Sequence, residues 1–101
     1  MTISSQLSAD GQELTITIRG RFDFNTHQAF RDAYQCAGSS PRRYVVDLNG
    51  ATYLDSSALG MLLLLRDHAG SDKADIRLIN CNPDVRKVLS VSNFEQLFAI
   101  A

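Results

Sequence analysis

The run Tyr44-Val45-Val46-Asp47-Leu48 constrains the fold more than any other segment. It is β-branched and almost wholly apolar, the composition of a strand set mid-sheet with both faces covered. Such a strand needs neighbours, and the flanking sequence supplies them. Leu14-Thr15-Ile16-Thr17-Ile18-Arg19 alternates apolar and polar residues strictly, as a strand with one buried face does. Residues around Ile3 to Ser8 form an earlier strand, joined to it by the hairpin signal Asp10-Gly11. Gly20 ends the second strand, and Phe22 to Thr26 follows as a loop in which Asn25 or Thr26 is suited to cap a helix. The spacing of Ala29, Phe30, Ala33 and Tyr34 predicts that helix from about Thr26 to Ala37, stopped by Gly38-Ser39-Ser40-Pro41.

Beyond the central strand, Asn49-Gly50 reads as a turn and Ala51 to Leu54 as a return to the sheet. Asp55-Ser56-Ser57 then opens a helix that reaches about Ala69-Gly70. Ile76-Arg77-Leu78-Ile79 is a further strand. Pro83 suits the first turn of a third helix, because its missing N–H costs nothing there. Val85, Val88 and Leu89 share one side of that helix, and Phe94 to Ala101 is a short apolar element of open type. Strand and helix alternating from residue 14 onward predict an α/β fold with several parallel strands.

A chain of 101 residues, 45% of them apolar, has the size and core of one domain spanning 1–101. The net charge is −1, and apart from the pairs Arg42-Arg43 and Arg86-Lys87 the basic residues are scattered singly. Without a basic stripe, direct nucleic-acid binding is not expected. Met1 to Ser5 lacks the basic-then-apolar order of a signal peptide, and the longest apolar run, Met61 to Leu65, is far short of a membrane span. A cytoplasmic location with no membrane partner is expected. Cys36 and Cys81 form no CxxC pair and lie far in sequence from His27 and His68. A zinc site needs four spaced ligands. Both cysteines therefore read as reduced, buried or half-buried thiols, with no metal and no cofactor.

Catalysis finds little support. No glycine-rich phosphate cradle is present. A serine nucleophile needs a base within hydrogen-bond reach, yet His68 lies along the same helix as Ser57, roughly 16 Å away at 1.5 Å per residue. Asp47 near the end of the central strand resembles a receiver-domain acceptor. That chemistry also needs an acidic pair to hold Mg²⁺, and the earlier strands end in Ser-Ala-Asp and Arg-Gly-Arg.

The unusual segment is Thr52-Tyr53-Leu54-Asp55-Ser56-Ser57-Ala58-Leu59-Gly60. Asp55 and the serines read first as an ordinary N-cap. The same geometry suits a switch. Phosphorylating a hydroxyl there adds about −1.5 to −2 charge, which free amides and the positive end of the helix dipole tolerate. A partner packed on the turn tolerates it poorly, since the dianion would be desolvated beside Asp55. Met61-Leu62-Leu63-Leu64-Leu65 follows, and one helical face cannot hold five consecutive large apolar residues. Ala58, Met61, Leu62, Leu65 and Ala69 share one arc; Leu59, Leu63 and Leu64 fall outside it. Either the fold covers this helix on two sides or some leucines face a partner.

Leu54-Asp55-Ser56-Ser57-Ala58-Leu59-Gly60 before an apolar helix resembles the signature of STAS domains, and more narrowly the bacterial anti-sigma factor antagonists. Gly20-Arg21-Phe22-Asp23, Val45-Val46-Asp47-Leu48 and Asn82-Pro83-Asp84-Val85-Arg86-Lys87-Val88-Leu89 fit the same family in order, so the resemblance covers nearly the whole chain. It implies a mixed, mostly parallel sheet with helices packed mainly on one face. It also implies that the unphosphorylated chain binds an anti-sigma factor and releases a sigma factor. A serine kinase, often the anti-sigma factor itself, ends that binding, and a PP2C-type phosphatase restores it. In some members the phosphatase is fused to a response regulator and the target is a flagellar anti-sigma factor; this chain looks similar to those. The acceptor maps onto Ser56, with Ser57 as runner-up. Asp23, Asp55, Ser57, Ala58, Gly60, Met61 and Leu64 map onto the partner surface. Ala58 departs from the glycine usual in the family, and the swap favours the helix by up to about 1 kcal/mol. A second reading is a STAS subunit that serves as a fixed scaffold, for example beside the ATPase of a lipid transporter.

Overall fold

The computed structural model describes residues 3–35, 41–70, 73 and 75–100. The alternation in residues 14–18 produces what it predicts. Leu14, Ile16 and Ile18 are buried on one side of strand β2 (Glu13–Phe22), while Glu13, Thr15 and Thr17 are only half-buried. Strand β1 (Ile3–Leu7) pairs with β2 antiparallel. In the turn between them Gly11 has φ +72, a left-handed conformation open to glycine at no steric cost. Asp10 Oδ1 accepts from Ser8 Oγ at 2.6 Å and from Gln12 N at 3.0 Å. The Ser8 hydroxyl and then the Gln12 amide hold that carboxyl below its ordinary range.

Strand β3 (Arg43–Leu54) is parallel to β2, β4 (Ile76–Ile79) is parallel to β3, and the two-residue β5 (Ala99–Ile100) is parallel to β4. The sheet order is β1-β2-β3-β4-β5. The α/β architecture is thus mixed and mostly parallel. Helices α1 (His27–Gln35), α2 (Ser56–His68) and α3 (Pro83–Val91) contribute Phe30, Tyr34, Met61, Leu62, Leu65, Val85 and Leu89 to one core with Ile16, Val46, Leu48 and Leu78.

β3 therefore has helices on one face only, not on both. Val45 is buried on the other face, between its cross-strand partners Thr15 and Arg77 and outside the helical core. Nor does β3 break at Asn49-Gly50. It continues, and the β2–β3 register slips twice, between Thr17 and Arg19 and between Gly20 and Arg21. These are bulges, which absorb extra residues of one strand without ending it. Gly50 is needed for approach, because a Cβ there would meet Arg19 Cγ at 2.8 Å. Gly20, at φ +77, likewise bends β2 without ending it, and Phe22 is a fully buried strand residue rather than part of a loop.

The first helix starts differently from its expectation. A 3₁₀ turn (Phe24–Thr26) precedes it, capped by Asp23 rather than by Asn25 or Thr26. The Asp23 carboxylate accepts from Asn25 N at 3.0 Å, and Thr26 Oγ1 donates to the Asp23 carbonyl at 2.7 Å. The anticipated stop at Ala37 and Gly38-Ser39-Ser40, and Cys36, lie outside the described residues. The open-typed tail resolves into a 3₁₀ turn (Phe94–Gln96) and β5, with Phe94 and Phe98 buried.

Candidate functional site

β2 and β3 run parallel with Phe22 opposite Leu54, so the chain leaves both strands at the same end of the sheet. This brings Asp23 and Asp55, 32 residues apart in sequence, to neighbouring strand ends. Ligands of open α/β sheets sit characteristically at the carboxyl ends of strands.

Asp55 is the N-cap of α2. Its backbone is extended (φ −109), and its Oδ1 accepts from Ala58 N at 2.9 Å. Leu59 N donates to the Asp55 carbonyl at 3.2 Å, which starts the helical ladder. Sequence could not choose between Asp and Ser for this task, because both cap well. With Asp55 as the cap, Ser56 becomes the first helical residue and Ser57 the second. Ser56 is exposed and Ser57 half-buried. Their amides precede the first residue able to bond four positions back. No acidic residue occupies the first turn of α2.

The run of large apolar residues divides. Met61, Leu62 and Leu65 are buried and Leu59 is half-buried, whereas Leu63 and Leu64 are 40% and 52% exposed. The fold does not cover this helix on all sides. Two assignments to the partner surface need correction. Ala58 and Met61 are core residues, so their side chains are not presented outward. The departure at Ala58 consequently places a methyl in the core rather than against a visitor. Gly60 is exposed, and a Cβ there would meet nothing within 4 Å. His68 is exposed, and its ring lies 4.9 Å from that of Tyr34.

Three residues at this end were not singled out from sequence. Arg21 Nε is 3.3 Å from Asp23 Oδ2, and the guanidinium lies 4.3 Å from the centroid of the Tyr53 ring. Phe24 is 70% exposed and stacks on His27 with centroids 5.9 Å apart. Exposed aromatic residues are enriched at protein interfaces. Position after Asp23 was the one signal available for Phe24. Arg21 and Tyr53 meet only through strand register. Among the described residues no cluster of three or more His, Cys, Asp or Glu is arranged to hold a metal. No helix among them is long and apolar enough to cross a membrane.

The family model described as "Mlab, STAS domain" matches residues 5–99. The chain belongs to the STAS-domain family. A STAS-domain-containing protein of Pseudomonas aeruginosa (strain UCBPP-PA14) is 69% identical over 101 residues, the full length of both chains. Among solved structures, a putative anti-sigma factor antagonist of Thermotoga maritima superposes with a TM-score of 0.79 at 18% identity, covering 97% of this chain and 84% of that one. The Bacillus cell-fate determinant SpoIIAA in its phosphorylated form superposes with a TM-score of 0.64 at 19% identity, covering 98% and 90%. At these identities the structural likeness establishes the fold.

Proposed function

We propose that this chain is a phosphorylation-controlled binding protein of the anti-sigma factor antagonist type, with Ser56 as the modified residue. The observation that carries the reading is the division of labour at the start of α2. Asp55 satisfies the Ala58 amide, so Ser56 is exposed and is not needed as the cap. A phosphate there would meet free amides and a helix start without first-turn acids. The fold carries it; a docked partner does not, because burying the dianion beside Asp23 and Asp55 is unfavourable. Ser57 is half-buried, which favours Ser56 as the acceptor.

The docking surface comprises the Asp23 and Asp55 turns, Phe24, Gly60, Leu63 and Leu64. Its partner in the unphosphorylated state is an anti-sigma factor with serine-kinase activity, or a flagellar anti-sigma factor served by a separate kinase. A PP2C-type phosphatase, free or fused to a response regulator, resets the switch. The chain acts by binding rather than by catalysis, in the cytoplasm.

Phosphopeptide mass spectrometry after incubation with the kinases of the source cell tests the reading. Phosphate should accumulate on Ser56. Ser56→Asp should weaken binding to the anti-sigma factor by at least tenfold, about 1.4 kcal/mol, and Ser56→Ala should bind whether or not kinase is present. Persistent absence of phosphate from both serines would leave a fixed STAS scaffold as the better reading.

A further inference from the structure

The sheet has a second face. Along β2 the helical core takes Leu14, Ile16, Ile18 and Phe22, so Glu13, Thr15, Thr17, Arg19 and Arg21 lie on the side without helices. Register sets Arg43 opposite Glu13, Asp47 opposite Thr17 and Arg77 opposite Val45 on that same side. The charge of this face differs from that of the molecule. Its strands present four arginines, Arg19, Arg21, Arg43 and Arg77, against two acids, Glu13 and Asp47. Asp23 follows β2 and offsets Arg21 only. The whole chain has a net charge of −1, so the positive excess here is outweighed by a negative excess elsewhere. Glu13 meets Arg43 at 3.6 Å in a pair that stays open to water. Asp47 accepts from the Asn49 amide and the Asn80 side chain. No ion pair among the described residues engages Arg19 or Arg77. Arg77 is exposed and lines one shallow depression with Glu13, Arg43 and Val45.

We propose that the helix-free face around Arg43, Val45 and Arg77 docks an acidic segment of a protein partner, whatever the state of Ser56. Guanidinium groups on adjacent strands suit carboxylates, which they hold by paired hydrogen bonds. The interspersed acids select the class of partner. A nucleic acid or an anionic bilayer brings negative charge against Glu13 and Asp47 as well as against the arginines. A protein segment sets a carboxylate on each arginine and a donor on each acid, and such complementarity fixes its register. A second copy presenting the same face opposes like charges. Position gives the independence from Ser56. Met61, Leu62 and Leu65 of α2 are buried on the other side of the sheet. Arg43 opens the twelve-residue β3, and the Asp55 turn follows its far end, roughly 30 Å away at about 3.3 Å per residue with an allowance for the two bulges. That is several times the screening length of about 8 Å at physiological salt.

The test places a photo-crosslinking benzoylphenylalanine at Gln6 of the full chain in the source cell. Gln6 is exposed and stands in the cross-strand row Gln6, Thr15, Val45, Arg77. Adducts are identified by mass spectrometry, and melting curves confirm that each variant folds. The expected product is a protein adduct whose crosslinked peptide is rich in Asp and Glu. Its yield should fall at least tenfold in the double variant Arg43→Gln, Arg77→Gln, recover in part with Lys at both positions, and stay within twofold in Ser56→Asp. A synthetic copy of the captured peptide should bind the purified chain more weakly as salt rises. No adduct, an adduct to nucleic acid, lipid or a second copy, a peptide without acidic excess, or a yield indifferent to the glutamines would overturn the proposal. Loss of the adduct in Ser56→Asp would overturn it too, by tying this face to the switch. None of these readouts requires that a kinase modify Ser56, so they stand apart from the test of the proposed function.

Discussion

The starts of α2 and α3 share one capping geometry and differ in what surrounds it. Each follows a parallel strand of the sheet, and each is capped by an Asx side chain that accepts from the amide three residues on: Asp55 from Ala58 N at 2.9 Å, Asn82 from Val85 N at 2.8 Å. At the next residue α2 has Ser56 and α3 has Pro83. α3 also has an acid in its first turn, Asp84, and its cap is tied down a second time, because Asn82 Nδ2 donates to the Ala51 carbonyl at 2.8 Å. One start is locked into β3 and chemically inert. The other is capped just as well, yet leaves a hydroxyl exposed and the helix dipole without a first-turn acid. The residues after the cap, and the second tie of Asn82, separate a helix start closed to further chemistry from one with an exposed hydroxyl.

Removing the caps probes the contrast most strongly. Asn82→Ala loses the cap and leaves the Ala51 carbonyl without its donor, and should destabilise by about 2–3 kcal/mol. Asp55→Ala loses a cap alone and should cost about 1 kcal/mol. Urea unfolding midpoints at constant m-value measure both, and equal losses would show that the second tie of Asn82 contributes nothing.

A charge added after each cap has a smaller effect. Ser56→Glu should leave stability unchanged or raise it by about 0.3–0.5 kcal/mol, since an acid enters a first turn that has none. Pro83→Glu should lower it, because Asp84 already occupies that dipole and the proline's restriction of the unfolded chain is lost. The same unfolding titrations decide; a loss on Ser56→Glu would remove the physical basis for a tolerated phosphate.

Cys81, immediately before the Asn82 cap, gives the smallest signal. Burial is the main cause that raises its thiol above the ordinary range. The raised value means less thiolate in the folded than in the unfolded protein at pH 8, so alkylation should be slower when folded. The corresponding stability is full below the ordinary thiol range and is lost as pH rises through the folded value. Faster alkylation in Asn82→Ala would show that the α3 cap keeps this loop closed.

Much of this molecule was legible in its residues. The alternation in 14–18, the β-branched run at 44–48, Pro83 at a helix start and Asp-Ser-Ser before an apolar helix each express a local preference that the fold keeps. The misreadings share a cause. Gly20 and Asn49-Gly50 look like strand ends because glycine and asparagine favour turns; tertiary pairing turned them into bulges, with Gly50 admitting the Arg19 side chain. Asn25 and Thr26 look like caps because their side chains can cap, but the first helical turn begins at Phe24, so both lie inside it and Asp23 is the cap.

Local chemistry was thus sufficient for the strands, the helices and a serine at a helix start. It was silent on three things that need contacts between distant residues. Packing on one face of the sheet buried Met61, Leu62 and Leu65 and left Leu63 and Leu64 outside. Parallel pairing of Phe22 with Leu54 set the Asp23 turn beside the Asp55 turn. The same pairing laid Arg21 across Tyr53. Backbone preferences act over a few residues, whereas burial and strand register are decided only when the whole sheet forms, and the surface around Ser56 is a product of register.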